Sequence, residues 1–271
     1  MGTAISADFG SLLKDWRNHR RVSQLRLSTE SGISQRHISF LETGRSNPSR
    51  AMILALADSL DIPLRERNTL LQTAGYSAIY SEESLTDASN RVFREALQAT
   101  LDHQEPFPAM VLDGRWNLVM ANQGAMRFFG LFIDVADALG RLGADDFQMI
   151  RLCLADHALR PYIRNWQELV YAFLQRTRRA LLVNPRDTRL PLLIEEIVNH
   201  PDAPSSWQEP GWSTPPSPAI TMVLEKAGER YELFTMLAHF GSAQQITLEE
   251  LSVELFYPAD SRTRERLISL G

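Results

Sequence analysis

Apolar positions recur three and four residues apart over the first seventy-odd positions, then change to a period of two in several later stretches. Phe9, Leu12, Leu13 and Trp16 share one face of a helix over 9–20, since residues at that spacing stack on one side of a 3.6-residue turn. Residues 23–48 (SQLRLSTESGISQRHISFLETGRSNP) read as two short helices, a tight turn between them, and a polar loop after them. Leu25, Leu27 and Ile33 are the expected apolar anchors, and Gly32 supplies the permissive backbone of the turn. Ser34 suits the N-cap of the second helix, because its hydroxyl can accept from an unpaired amide. In that helix Ile38 and Leu41 point inward, Gln35, Arg36, Ser39 and Phe40 lie on or near the outer face, and Gly44 stops it. A fourth helix is expected over 50–60, with Met52, Leu56 and Leu60 inward. Pro63 starts a fifth, ending near Gly75.

Residues 77–90 (SAIYSEESLTDASN) are polar and read as a connector, followed by a helix over 91–103. That helix is either a plain spacer or an element that pairs two protomers or transmits strain. From Pro106 the pattern alters. Asp113-Gly114 between apolar runs at 108–113 and 115–121 predicts a hairpin. Helical stretches follow at 122–132, 145–159, 165–183 and 187–199, then a proline-rich, irregular excursion at 200–218. Alternation predicts strands at 219–225, 230–240 and 247–257, linked through Gly228 and Gly241. In the last, Leu251, Val253, Leu255 and Tyr257 face one side, with Glu250, Ser252 and Glu254 opposite. Two strands, several helices and three strands make an α+β domain: five antiparallel strands, helices packed on one face, room for a cavity.

Composition adds limits. With 271 residues, 44% of them hydrophobic, the chain can build one or two real cores. No apolar run reaches the ~18 residues of a membrane span, and MGTAISADFG is no signal peptide, so a cytoplasmic protein is expected. The single cysteine, Cys153, fits a reducing compartment. Charge divides along the chain. Residues 1–76 hold 10 Lys+Arg and 7 Asp+Glu (+3), and the rest hold 18 and 26 (−8), which together give −5. The basic end suits phosphates and the acidic end does not.

The outer face of the second short helix has the chemistry of base reading. Amide and guanidinium groups at the N-terminal end of a helix reach base edges in a major groove. Gln35 suits adenine, Arg36 guanine, and Phe40 a thymine methyl, while Gln24, Arg45 and Asn47 suit phosphates. A small helical hairpin unrelated to nucleic acid is the bland alternative. Gln24, the GIS turn at 32–34, Ile38, LETG at 41–44, Arg45 and Asn47-Pro48 resemble an Xre-type (Cro/repressor-like) helix-turn-helix domain across residues 9–76. The resemblance implies DNA-facing roles for Gln24, Gln35, Arg36, Ser39 and Phe40; Phe40 departs from the polar residue often found there.

In the second half, AMVLDGRWNLVMAN (109–122), LRPYIRNWQELV (159–170) and TMLAHFGSAQQITLEELSVELFYPAD (235–260) resemble the MmyB-like ligand-binding module, itself similar to a Per-Arnt-Sim (PAS) sensor fold. The candidate ligand residues are Trp116, Asn122, Met126, Phe129, Phe132, Trp166 and Phe173, with Arg160, Arg164, Asn165 and His239 as polar groups beside an apolar cavity. A carboxylate with a long tail satisfies both sets, with Arg160 or Arg164 as its anchor; surface ion pairs to Glu168 or Asp156 are the alternative for those arginines. Cys153 and His157 lack a third metal ligand, no nucleotide or nucleophile motif occurs, and neither metal, cofactor nor catalysis is expected. The expected organisation is a five-helix all-α helix-turn-helix domain (1–76), a connector with a helix (77–103), a PAS-like α+β domain with a five-stranded antiparallel sheet (104–260) and a tail (261–271). The expected function is a one-component transcription regulator. It binds operator DNA as a homodimer and senses an apolar small molecule such as a fatty acid. The alternative is a DNA-binding regulator whose second domain is an interaction or dimerisation module without ligand.

Overall fold

The computed structural model describes residues 8–142, 148–208 and 221–271. They fall into two compact units. One comprises Met1–Glu82, Leu182–Pro185 and Ala243–Glu249, the other Glu83–Leu181, Arg186–Ser242 and Glu250–Gly271.

The N-terminal segment of the first unit forms α1 (Phe9–His19), α2 (Gln24–Ser31), α3 (Gln35–Glu42), α4 (Arg50–Ser59) and α5 (Leu64–Thr73). Ser23, Ser34 and Ser49 cap α2, α3 and α4 by accepting a backbone N–H two places into each helix. Gly32 and Gly44 take left-handed backbone (φ 71° and 68°), which lets the chain turn sharply on each side of α3. Leu12, Leu13, Trp16, Leu27, Ile38, Leu41, Ile53 and Leu56 form the core. Leu25, expected as an anchor, is instead 63% exposed, because α2 is short and Leu27 occupies the inward position.

The second unit opens with α6 (Arg91–His103) and the hairpin β1 (Ala109–Leu112) and β2 (Leu118–Ala121). Helices α7 (Gln123–Gly130), α8 (Val135–Leu142), α9 (Gln148–Leu154), α10 (Trp166–Val183) and α11 (Arg189–Val198) follow. The chain continues with β3 (Thr221–Lys226), β4 (Glu229–Ala238), α12 (Ile246–Glu250, all but its last residue in the first unit), β5 (Ser252–Pro258) and α13 (Ser261–Leu270). The sheet is antiparallel in the order β2-β1-β5-β4-β3, so β5 is its central strand. This is the α+β, five-stranded arrangement expected of a PAS-like domain. Met110, Leu112, Leu224, Leu233 and Phe256 of the sheet join Phe128, Phe129, Trp166, Val170 and Leu174 of the helices in the main core. Val111 and Val253, on alternate positions, are buried outside that cluster, as are Leu97 and Leu101 of α6, which packs against β1. Both faces of the sheet are therefore covered at this point.

The helices, expected on one face of the sheet, cover both, since α6 lies behind β1, and α8 forms where no element was expected. Two boundaries also change. The strand expected over 247–257 begins only at Ser252. Before it, a single helical turn buries Ile246 and Leu248. The expected tail at 261–271 is helix α13, capped by Asp260, whose carboxylate accepts from the Thr263 amide at 2.8 Å, and anchored by buried Leu267. The acidic pair Asp145-Asp146 and most of the proline-rich stretch lie outside the described residues. Among the described residues no helix is long and apolar enough to cross a membrane.

Candidate nucleic-acid surface and ligand cleft

The outward face of α3 stands on a buried polar network. Arg17 of α1 holds the Glu42 carboxylate through Nε (2.6 Å) and Nη2 (3.0 Å), and the two side chains are 11% and 3% exposed. Gln24, first residue of α2, donates its amide N–H to the same carboxylate at 2.8 Å. Arg17 also donates to the Val22 carbonyl at 2.9 Å, so one carboxylate and one guanidinium tie α1, α2 and α3 together. Gln24 thus serves the scaffold and keeps one amide hydrogen for an outside acceptor. α1 and α3 meet so closely that a Cβ added at Gly10 would lie 2.4 Å from the Leu41 carbonyl oxygen.

Gln35 and Arg36 are exposed at the N-terminal end of α3, with Ser39 and Phe40 half-buried one turn on, and Arg45 and Asn47 exposed after it. The Arg36 guanidinium lies 5.3 Å from the Phe40 ring centre and that of Arg45 6.0 Å. The phenyl ring has two cations beside it, a role that the sequence reading, with its thymine contact, did not foresee.

In the second unit two narrow clefts adjoin, with Phe129, Met149 and Leu159 in the walls of both. Their free volumes are small, about 20 and 40 Å³. The first is apolar throughout, lined among others by Met110, Leu118, Met126, Ile133 and Leu139. The second carries Trp116, Phe173, Met222 and Phe256, and one charged pair. Arg176 of α10 donates through Nη1 to Glu254 Oε1 of β5 at 2.8 Å, with side chains 30% and 13% exposed. Its guanidinium also covers the Trp116 ring at 4.6 Å. Phe173 and Arg176 reach the same cleft because they are three apart on α10. Trp116 sits in left-handed backbone (φ 54°) in the β1–β2 turn. Asp113 fixes that turn by accepting the Arg115 and Asn117 amides at 2.8 and 2.9 Å. In the same wall Cys153 is fully buried. Burial, then the charge of Glu254, pushes its thiol up to about 12, so it stays neutral and unreactive near pH 7. His157 lies beyond the end of α9, so the helix expected over 145–159 does not carry Cys153 and His157 together.

Of the residues predicted from sequence, Trp116, Met126, Phe129 and Phe173 line the clefts. The others do structural work outside them. Asn122 caps α7 and is saturated: its Oδ1 accepts from Ala109 and Ala125, and its amide donates to Phe107 and Leu101. Asn165 clamps β3 by accepting from Val223 N (3.0 Å) and donating to Thr221 O (2.7 Å). Phe132 packs among Phe128, Tyr162 and Tyr231. Trp166 donates to the Cys153 carbonyl and stacks on Trp207, and His239 meets the Leu251 carbonyl. Arg160 pairs with Asp202 over the Trp166 ring, and half-exposed Arg164 pairs with Glu225. Neither anchoring arginine of the sequence reading lines a cleft; Arg176 does. Its signal in the sequence was the spacing from Phe173, and that of Glu254 was a carboxylate in the middle of a strand.

The comparisons agree with this geometry. A family model described as "Helix-turn-helix" matches residues 13–67. A second, described as "MmyB-like transcription regulator ligand binding domain", matches residues 93–270. No curated protein matches the sequence. A solved structure titled "Structure of an RNA-binding Light-Oxygen-Voltage Receptor" is similar at 14% identity and a TM-score of 0.26, covering 97% of this chain. The chain spans 61% of that receptor, and a likeness of this size says nothing of function. Through a match over more than half its length, the chain belongs to the family of MmyB-like transcription regulator ligand binding domains, carried behind an Xre-like helix-turn-helix.

Proposed function

We propose that the chain is a one-component transcription regulator of the bacterial cytoplasm, divided into a DNA-binding domain (1–76), a connector with α6 (77–103) and a ligand-binding domain (104–260). In this reading α3 enters the major groove of an operator. Gln35, Arg36 and Ser39 meet base edges, and Gln24, Arg45 and Asn47 meet the backbone. A homodimer places two α3 helices on half-sites about 34 Å apart, one helical turn of DNA. The ligand is an apolar or amphiphilic small molecule, with a fatty acid as the leading class. Its binding favours one of two existing arrangements of the DNA-binding heads.

The observation that supports the sensor reading best is the pair of adjoining clefts walled by methionine and aromatic side chains, which adapt to an apolar guest. Mass spectrometry of small molecules extracted from the purified, denatured protein tests it. A near-stoichiometric lipid or fatty acid is the expected result. The narrowness of the clefts favours a second reading, an interaction module with a filled core. A clean extract, together with no binding of added amphiphiles, selects that reading instead. For the DNA-binding half, Arg36→Ala weakens operator binding by about 1–3 kcal/mol and relaxes preference at one base position. Unchanged preference in a binding selection removes Arg36 from the readout.

A further inference from the structure

We infer that α12 is a clasp on the first unit, through which a change in the central strand β5 is felt at α5.

The clasp begins with a deficit at Pro63. Proline occupies the N-cap of α5 and has no side-chain acceptor, so the first amides of that helix lack a local cap. The acceptor comes from 185 residues further along the chain, where Glu249 Oε2 takes the Leu64 N–H at 2.9 Å. A carboxylate at that place also meets the positive end of the helix dipole. At the start of α12, Ile246 donates its N–H to the Ser81 carbonyl at 2.9 Å, and Gln245 donates to the Ser81 hydroxyl at 3.3 Å. Ile246 and Leu248 are buried. The segment that carries Ser81 is itself held on α5. Buried Asn68 accepts the Ile79 and Tyr80 amides at 3.0 and 3.2 Å and donates to the Tyr80 carbonyl at 2.7 Å. Arg65 pairs with Glu82 next to it. All of these contacts lie within the first unit.

The two ends of the clasp differ. After Glu249 the chain passes into the second unit, and β5 starts three residues on, at Ser252. Three residues reach about 10 Å when fully extended, and buried Leu251 is one of them, so β5 has little freedom to shift without pulling Glu249. On the other side, exposed Gly241 and Ser242 separate α12 from β4, and glycine lets the backbone give. Helix α5 in turn packs against α1 and α4, and α1 carries the Arg17 that holds Glu42 at the end of α3. A pull on Glu249 therefore reaches, through contiguous contacts, the helices that support the outward face of α3.

Hydrogen exchange on the full chain, read in peptides from α5 and β5, tests the clasp. Glu249→Ala is expected to speed exchange in α5 by about fivefold through loss of the cap, and an unchanged rate there overturns the proposal. Val253→Ala loosens β5 at a buried position outside the cleft walls. It is expected to speed exchange by about tenfold in β5 and by about threefold or more in α5. Two glycines inserted after Glu250 leave every clasp contact in place and add slack. In that background Val253→Ala should still act on β5, while its effect on α5 falls below about 1.5-fold. If Val253→Ala unfolds the second unit outright, Leu255→Ala, at a half-buried position on the same face of β5, carries the comparison. A loosened β5 that leaves α5 untouched overturns the coupling. An effect on α5 that survives the insertion undiminished assigns it to another route and overturns the clasp as well.

Discussion

Glu42 offers the sharpest test of how α3 is held. Its carboxylate accepts two hydrogen bonds from Arg17 and one from Gln24, and its side chain is 3% exposed. Glu42→Ala leaves the Arg17 guanidinium, 11% exposed, as an unpaired charge that keeps only the Val22 carbonyl as acceptor. Breaking one side of such a buried pair costs about 3–5 kcal/mol, whereas replacing both members by apolar residues of similar volume is near neutral. Since a small domain is stable by about 5–15 kcal/mol in all, the single change removes a large part of the first unit's stability. Arg17→Met combined with Glu42→Leu leaves it within about 1 kcal/mol of wild type, with Gln24 turning to water. Native-state hydrogen exchange on the full chain, followed by mass spectrometry of peptides from α1 and α3, reads these differences without interference from the second unit. Wild type, Arg17→Met, Glu42→Leu and the double variant form a double-mutant cycle whose coupling should exceed about 2 kcal/mol. A Glu42→Ala cost below about 1 kcal/mol would refute the claim that the network holds α3 in place.

Three further outcomes follow from the geometry. Phe40→Leu should weaken operator binding several-fold, because each cation beside the ring is worth about 0.5–1 kcal/mol at an exposed site, while Phe40→Tyr should restore it; equal binding by the leucine variant in gel shifts would make the ring a plain filler. Gly10→Ala should lower the melting temperature of the first unit, since about 1–3 kcal/mol of overpacking against the Leu41 carbonyl exceeds the roughly 1 kcal/mol that alanine adds to a helix. Stabilisation on calorimetry would contradict that close approach. Hydrogen bonding from the Thr263 amide holds the Asp260 carboxyl below its ordinary value, opposed by partial burial. Its contribution is therefore present above about pH 4 and lost as pH falls further, so intrinsic-rate-corrected protection of α13 should drop between pH 5 and pH 3 by about 0.5–2 kcal/mol. Asp260→Ala should abolish that pH dependence; an unchanged dependence would assign it to another group.

What the sequence made legible was local. Ser34 as a cap, Gly32 and Gly44 as turns and the Asp113-Gly114 hairpin each depend on a few neighbouring residues, and the structure has them where the pattern puts them. The turn before β5 and helix α13 were less legible, because one apolar pair and one cap decide them against longer patterns on either side. The cleft was harder for a different reason. On β5 the apolar set Val253, Leu255 and Tyr257 resembled a core face and Glu254 a solvated one. That rule holds only for a sheet with one face in water. Here α6 packs against β1 behind the sheet while the other helices cover the front, so alternation separates two faces without saying which carries the cleft. Likewise the arginine that enters the cleft is fixed by which turn of α10 meets the sheet, a property of packing between distant segments. In such a sheet the polar position is the informative one.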